Sequence, residues 1–233
     1  MNLRIFDTVD DLISGAARTI TERATDGTSI ALSGGSTPKP LYEILGRDGD
    51  LRERRITWVV VDERYVPLND PQSNAGMIQH TLFTNGIAPH HRFLRFKTEL
   101  DDPAATAYEF EREWRELHLS DLDIVILGMG DDGHTASLFP HTRALAEEDR
   151  LAVANYVPKL DAERLTLTVP VLNAAREVLF LVAGPGKAKT LAAVLEGPED
   201  PEHLPAQLIR PERGALTWLV DEDAAASLDA RVR

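Results

Sequence analysis

The 233-residue sequence contains no cysteine, which excludes a disulfide scaffold, a thiol nucleophile and a cysteine-type zinc site. It has no run near the roughly 20 apolar residues that span a bilayer, and its opening MNLRIFDTVDDL lacks a basic-then-apolar leader. Positive charge is scarce, since 25 Lys and Arg stand against 38 Asp and Glu, a formal net charge of −13. We therefore expect a cytoplasmic protein that binds neither membranes nor nucleic acids.

Scarce positive charge does not exclude a small anionic ligand, because a few clustered cations create a local positive potential on an acidic protein. Four of the five lysines lie in or near the four candidate loops described below: Lys39, Lys159, Lys187 and Lys189. The sequence is 43% hydrophobic, enough to bury a sizeable core. Its length favours one domain, residues 1–233, over two.

Short β-type runs alternate with helix-type runs, which predicts βα units and a mainly parallel sheet. The predicted strands are residues 3–6, 29–33, 57–62, 123–128, 164–169, 177–183 and 215–220. The predicted helices are residues 7–24, 38–46, 72–83, 103–117, 170–175 and 185–196. The predicted loops include residues 46–55, 140–150 and 198–213. In such a sheet, ligands bind beyond the carboxyl ends of the strands.

The first loop at a strand end is SGGSTPKP, which begins at Ser33. Its glycines let backbone N–H groups face a ligand, and the following helix presents unpaired N–H groups and the positive end of its dipole. The pattern is neither GxxxxGK[ST] nor GxGxxG. It favours phosphate binding, with an ordinary strand–helix turn as the alternative. The candidate ligands are Ser33, Gly34, Gly35, Ser36 and Thr37.

The second loop, DERYVP, follows the predicted strand 57–62. Asp62 and Arg64 alternate along an extended chain, so their side chains are expected on the same side. A solvated charge run is the alternative interpretation. Turn and helix-cap residues follow, and three of them are further candidate polar ligands: Asn69, Ser73 and Asn74.

The third loop, GMGDDGHTASLFP, concentrates glycine and titratable chemistry at the end of an apolar strand. Asp132 and His134 lie two residues apart, and a carboxylate beside an imidazole fixes its tautomer and raises its basicity. This favours His134 as a general base over a simple turn histidine. With Asp131 and Asp132 it is too tightly spaced to supply three metal ligands, so a metal site is the weaker interpretation. The other histidines are predicted at the surface: His80, His90, His91, His118, His141 and His203.

The fourth candidate site combines VPK, Arg164 and the loop GPGK. Lys187 is predicted in the first turn of a helix, where a cation is unfavourable with the helix dipole unless an anion is bound. Lys159 precedes a predicted strand. Surface lysines are the alternative.

The chain resembles the 6-phosphogluconolactonase family, a branch of the group that includes glucosamine-6-phosphate deaminase. The matching stretches are, in order, ALSGGSTP, VDERYVP with SNAGMI, ILGMGDDGHTASLFP, VPK with RLTLTVPVLNAA, and FLVAGPGKAKTL. The resemblance implies an α/β fold, an open, mainly parallel sheet flanked by helices in a three-layer Rossmann-like sandwich of the deaminase/ribose-5-phosphate-isomerase type. It implies hydrolysis of 6-phospho-D-glucono-1,5-lactone without a cofactor or metal, in a protein that we expect to be a monomer.

Residue roles also follow from the resemblance. His134 corresponds to the catalytic base and Asp132 to its acidic companion, while Arg64 and Lys159 correspond to phosphate partners. Asp131 is assigned no role. The remaining implied substrate residues are Asp62, Lys187 and the loop from Ser33 to Thr37.

Two other functions stay open at this point. An amino-sugar-phosphate isomerase or deaminase would use the same loops, but that branch carries a glutamate after the histidine loop, and no carboxylate precedes Pro140 here. A non-catalytic sugar-phosphate sensor would retain the phosphate loops and lose the base, whereas His134 and Asp132 are both present. A covalent acyl-enzyme is disfavoured because the sequence has neither a GxSxG elbow nor a cysteine.

Overall fold

The computed structural model describes residues 2–231, so Met1, Val232 and Arg233 of the predicted 1–233 domain lie outside the described residues. The strands are β1 (Asn2–Phe6), β2 (Ser29–Leu32), β3 (Thr57–Val60), β4 (Asp62–Arg64), β5 (Arg92–Leu94), β6 (Ile124–Leu127), β7 (Ala152–Val157), β8 (Ala162–Leu167), β9 (Glu177–Val182) and β10 (Ala215–Asp221). The helices are α1 (Val9–Arg23), α2 (Lys39–Arg47), α3 (Gly49–Glu53), α4 (Asn74–Leu82), α5 (Pro103–Glu116), α6 (Val169–Ala174) and α7 (Ala188–Glu196).

Seven strands form a fully parallel sheet in the order β1-β10-β9-β6-β2-β3-β5. Strands β2, β6 and β9 at its centre are buried along their whole length, because helices cover both faces. The predicted α/β class and the mainly parallel sheet are confirmed. Apart from the strand predicted over 57–62, each predicted strand and helix is present, and most ends agree within two residues.

A second sheet of three antiparallel strands, β4-β8-β7, lies beside the parallel one. The prediction of one strand over 57–62 is wrong, because the chain changes sheets at Val61. The amide of Val61 donates to the Leu32 carbonyl (3.0 Å) in the parallel sheet, and its carbonyl accepts from the Leu167 amide (2.9 Å) in the small sheet. One residue therefore joins the two sheets.

The prediction of a loop over 46–55 is also wrong, since it contains α3. Asp48 caps this short helix by accepting a hydrogen bond from the Leu51 amide (2.9 Å), and Leu51 is buried. The loops 140–150 and 198–213 each contain a 3₁₀ turn, Arg143–Ala146 and Pro205–Leu208.

His91 is not a surface residue as predicted, although the other five histidines outside the site are exposed. Trp58 Nε1 donates to His91 Nδ1 (3.0 Å), and His91 Nε2 donates to the Leu51 carbonyl (2.9 Å). Both ring nitrogens are used by a neutral imidazole, and burial lowers the pKa of His91 from its usual 6.5.

Acid should therefore weaken the fold through His91. Below a pH of about 6.5 the unfolded chain takes up a proton that the folded imidazole disfavours, so stability is lost as the pH falls. His91→Gln cannot titrate, and we expect it to unfold about 1 kcal/mol more easily at neutral pH. Urea unfolding should show that the difference in unfolding free energy between the unaltered protein and His91→Gln becomes smaller as the pH falls. A difference that stays constant or grows in acid would contradict the interpretation of His91 as a neutral, buried imidazole.

Candidate active site

A cavity of about 460 Å³ opens beyond the carboxyl ends of β2, β6 and β9, between the two sheets. This is where parallel α/β sheets bind ligands. The structure brings every residue predicted for the site into its wall: Ser33, Gly34, Gly35, Ser36, Thr37, Asp62, Arg64, Asp132, His134, Lys159 and Lys187. Of the further polar candidates only Asn74 lines it; Asn69 is exposed elsewhere, and Ser73 is a buried cap of α4.

The loop after β6 holds His134 through its own backbone. The Gly130 amide donates to the His134 carbonyl (2.8 Å), and the Gly133 amide donates to the Gly130 carbonyl (3.1 Å). Gly133 has φ +76°, which favours glycine. A Cβ at Gly130 would collide with the imidazole of His134. Glycine at these two positions allows the tight turn that presents the histidine.

His134, Asp132 and Lys159 form a hydrogen-bonded chain. His134 Nδ1 lies 2.5 Å from Asp132 Oδ1, and Lys159 Nζ lies 2.9 Å from Asp132 Oδ2. The His134 side chain, followed by Lys159, holds the pKa of Asp132 far below its usual range. The ionised Asp132 carboxylate accepts a hydrogen bond from the Nδ1–H of His134. In the neutral imidazole, Nε2 is then the basic nitrogen. Phe139 stacks on the ring at 4.0 Å and fixes its plane.

Lys187 is also paired with an aspartate. Its Nζ lies 2.5 Å from Asp131 Oδ1, and the Asp131 carbonyl accepts a hydrogen bond from Thr190 Oγ1 (2.7 Å). The sequence assigned no role to Asp131. In the structure it ties the histidine loop to the start of α7.

Asp62 is a buried carboxyl group in the cavity wall, with 7% of its surface exposed. Ser137 Oγ, which sequence reasoning did not single out, donates to its Oδ2 (2.7 Å). Burial raises the pKa of Asp62, and the Ser137 hydrogen bond and the charge of Arg64 only partly oppose this. Ionised Asp62 therefore lowers the stability of the folded state. Such an unfavourable charge is typical of a carboxylate kept for function.

Asp62→Asn should stabilise the protein while altering the site. The raised pKa means that ionised Asp62 destabilises the fold, and this penalty grows as the pH rises from the unfolded-state value of 3.8 through the folded pKa. Asparagine removes the charge and can still accept from Ser137. Urea unfolding should show a gain that is larger near pH 8 than near pH 4. Asp62→Ala is the control. It should be less stable than Asp62→Asn, because it leaves the Ser137 hydroxyl without its hydrogen-bond acceptor.

Buried Glu63 points to the other side of β4 and anchors it to α4. Its carboxylate accepts from the Asn74 amide (2.7 Å) and the Ala75 amide (2.8 Å) at the helix start. The Asn74 side chain donates to the Asp62 carbonyl (2.7 Å) and packs where a Cβ at Gly34 would collide. Asn74 therefore connects the SGGSTPKP loop to the DERYVP loop, and its side-chain amide is already engaged in this structural contact.

Arg164, which the sequence includes in the fourth candidate site, lies in the cavity wall. It lies directly opposite Arg64 in the β4–β8 pair. Burial, followed by the charge of Arg64, lowers the pKa of Arg164.

Residues 5–218 match the family model described as glucosamine-6-phosphate isomerases/6-phosphogluconolactonase. The chain belongs to this family. A 6-phosphogluconolactonase of Synechocystis sp. is 41% identical over 207 residues, 86% of this chain and 84% of that protein. A human 6-phosphogluconolactonase is 37% identical over 213 residues, 86% of this chain and 80% of that protein. The solved 6-phosphogluconolactonase of Leishmania guyanensis is 28% identical with a TM-score of 0.84, and the match covers 98% of this chain and 99% of that one.

In this member of the glucosamine-6-phosphate isomerase/6-phosphogluconolactonase family, the segment 198–213 supports the histidine loop. The Ala206 amide donates to the Gly133 carbonyl (2.8 Å), and Leu204 packs against Gly133 where a Cβ would stand. Sequence reasoning identified 198–213 only as a loop, because nothing in its residues signals a partner so far along the chain.

Within residues 2–231 of this family member, no three His, Asp or Glu side chains are placed to hold a metal ion together. No helix in the same range is long and apolar enough to cross a membrane.

Proposed function

We propose that this chain hydrolyses 6-phospho-D-glucono-1,5-lactone to 6-phospho-D-gluconate in the oxidative pentose phosphate pathway. The observation that carries the proposal is the hydrogen-bonded chain from Lys159 through Asp132 to His134, set in a cavity with arginines. Family membership and the names of the relatives support the substrate.

His134 acts as general base in this proposal. Its Nδ1–H is held by Asp132, so Nε2 accepts a proton from water as the water oxygen attacks the lactone carbonyl carbon. The tetrahedral oxyanion then collapses and breaks the bond to the ring oxygen. The imidazolium returns its proton to that oxygen, which becomes the 5-hydroxyl, and the product is a carboxylic acid that ionises in water.

Asp132 stabilises the imidazolium while the intermediate exists, because it is ionised and 2.5 Å from Nδ1. The glycine-rich segment from Ser33 to Thr37 and the pair Asp62 and Arg64 line the same cavity, where they would hold the sugar phosphate. General-base assistance of this kind contributes roughly 10²- to 10⁴-fold.

No observation favours the isomerase and deaminase branch of the family. That chemistry would need a further carboxylate between His134 and Pro140, and the residues there are TASLF. The proposal also includes a cytoplasmic protein of one domain, residues 1–233, that acts as a monomer without a cofactor. Light scattering coupled to size exclusion tests the monomer, which at 25.7 kDa is easily told from a dimer.

The deciding experiment is hydrolysis of freshly prepared 6-phosphogluconolactone, followed by acid release and corrected for the spontaneous rate. Acceleration that survives EDTA would support the lactonase without a metal. An absence of acceleration would overturn the proposal, and glucosamine 6-phosphate would then be the next substrate to assay.

A further inference from the structure

Within the part of the chain that the structure describes, three aspartates line the cavity, and one of them, Asp62, forms no ion pair. Asp131 and Asp132 are each paired with a lysine. Asp62 has only a neutral partner, because the Ser137 hydroxyl donates to its Oδ2 (2.7 Å). A buried carboxylate without a cation beside it is costly for the fold, and the reaction steps described above do not use it.

The partner of Asp62 is itself fixed in position. Ser137 is buried, its amide donates to Thr166 Oγ1 (3.3 Å), and its carbonyl accepts from the Asn155 side chain (2.9 Å). Thr166 is also the residue opposite Asp62 in the β4–β8 pair. These contacts hold the Asp62 carboxyl group in the cavity wall, so it cannot turn towards solvent or towards a cation without breaking them.

Asp62 lies beside the position where the proposed reaction takes place. Its partner Ser137 follows His134 by three residues, and all three side chains line the cavity. Burial raises the pKa of Asp62, while the charges of Arg64 and Arg164 oppose this without forming an ion pair. In the proposed reaction the lactone carbonyl carbon lies one water molecule from Nε2 of His134, and that carbon becomes the carboxylate carbon of the product. The new negative charge therefore arises near Asp62.

We propose that Asp62 makes the cavity select the neutral lactone group over the anionic product, by repelling the carboxylate that the reaction creates. The lactone carbonyl carries no charge that Asp62 could repel. The oxyanion of the intermediate is balanced, because His134 holds the proton while the oxyanion exists. After that proton has passed to the ring oxygen and the new acid has ionised, His134 is neutral again and the product carboxylate faces Asp62 without compensation.

This inference deepens the proposed function and rests on it for the identity of the two ligands. Two phosphate esters separate the carboxylate from the rest of the product. One is 6-phosphogluconate, and the other is sorbitol 6-phosphate, which has the same carbon chain with a CH₂OH group in place of the carboxylate. Contacts to the phosphate and to the shared hydroxyl groups cancel in the ratio of the two Kd values, so the ratio reports on the carboxylate alone.

Calorimetric titration of Asp62→Asn with both ligands tests the proposal. The Kd for 6-phosphogluconate divided by that for sorbitol 6-phosphate should fall roughly 10- to 100-fold relative to the unaltered protein, as expected for like charges about 6 to 10 Å apart. Asp62→Glu keeps the charge, and its ratio should stay closer to that of the unaltered protein. Glu22→Gln removes the same charge from an exposed position of α1 and should leave the ratio unchanged.

An unchanged ratio in Asp62→Asn, or an equal fall in Glu22→Gln, would overturn the proposal. The titrations need no turnover, so they decide the matter even if Asp62→Asn is inactive. Where turnover can be measured, the inhibition constant of 6-phosphogluconate should fall with its Kd. If the unaltered protein does not hydrolyse the lactone, the proposed function fails, while the ratio still shows whether Asp62 disfavours a carboxylate. Thermal unfolding shows that each variant is folded.

Discussion

His134→Ala should lower kcat for 6-phosphogluconolactone by roughly 10²- to 10⁴-fold, the usual contribution of a general base. Affinity for 6-phosphogluconate should change little, because the phosphate contacts lie on other residues. The physical reason is the hydrogen bond of 2.5 Å from Nδ1 to Asp132, which leaves Nε2 free to take the proton of water. Stopped-flow rates, corrected for spontaneous hydrolysis, measure kcat, and calorimetry measures the affinity.

His141→Ala is the matched control. His141 is an exposed histidine just past the same loop, 3.1 Å from Glu202, and it does not line the cavity. Its loss should leave kcat near that of the unaltered protein. If His134→Ala kept most of the rate, His134 would not be the general base, and the buried carboxyl group of Asp62 would be the next candidate.

Gly130→Ala should lower kcat roughly 100-fold although it adds only a methyl group. The new Cβ would collide with His134 at Nδ1 and Cε1 and would press on Asp132, so the imidazole must leave its hydrogen bond. Displacing a catalytic group by about 1 Å is enough for a loss of that size. Steady-state kinetics give kcat, and the ring-proton shifts of His134 in NMR report whether its bond to Asp132 survives.

Gly186→Ala separates this steric effect from the general effect of replacing a glycine. Gly186 precedes Lys187, does not line the cavity, and has open space where a Cβ would be added. We expect nearly unaltered kinetics. Comparable losses in the two variants would mean that loop stiffness, and not the collision with His134, controls the rate.

The sequence was most informative where local chemistry is dense. The apolar runs of β2, β6 and β9 predict buried parallel strands, and glycine-rich loops after the first two mark the carboxyl edge. His134 and Asp132 are two residues apart, so their hydrogen bond is a local property that their spacing indicates. The strands β5 and β7 were missed, because β5 has only three residues and β7 alternates weakly.

The distribution of charge across the cavity could not be predicted. Whether Lys187 meets a ligand or Asp131 depends on how two distant loops meet in space. The opposition of Arg64 and Arg164 depends on the register of β4 and β8, which the merged prediction over 57–62 concealed. The support of Gly133 by Leu204 is likewise a contact between segments far apart in the chain.

The position of Val61 constrains how product can leave. Its amide is hydrogen-bonded to the parallel sheet and its carbonyl to the antiparallel one, so the two sheets that flank the cavity are joined at this residue. A hinge that opened the walls like a jaw would break hydrogen bonds on both sides of this residue. We expect 6-phosphogluconate to escape through small displacements of the rim, with Leu160 and the turn around Lys159 moving over a fixed floor. The turnover rate would then depend on the flexibility of the cavity rim. Mutations at Val61 would affect folding stability more than the rate of product release.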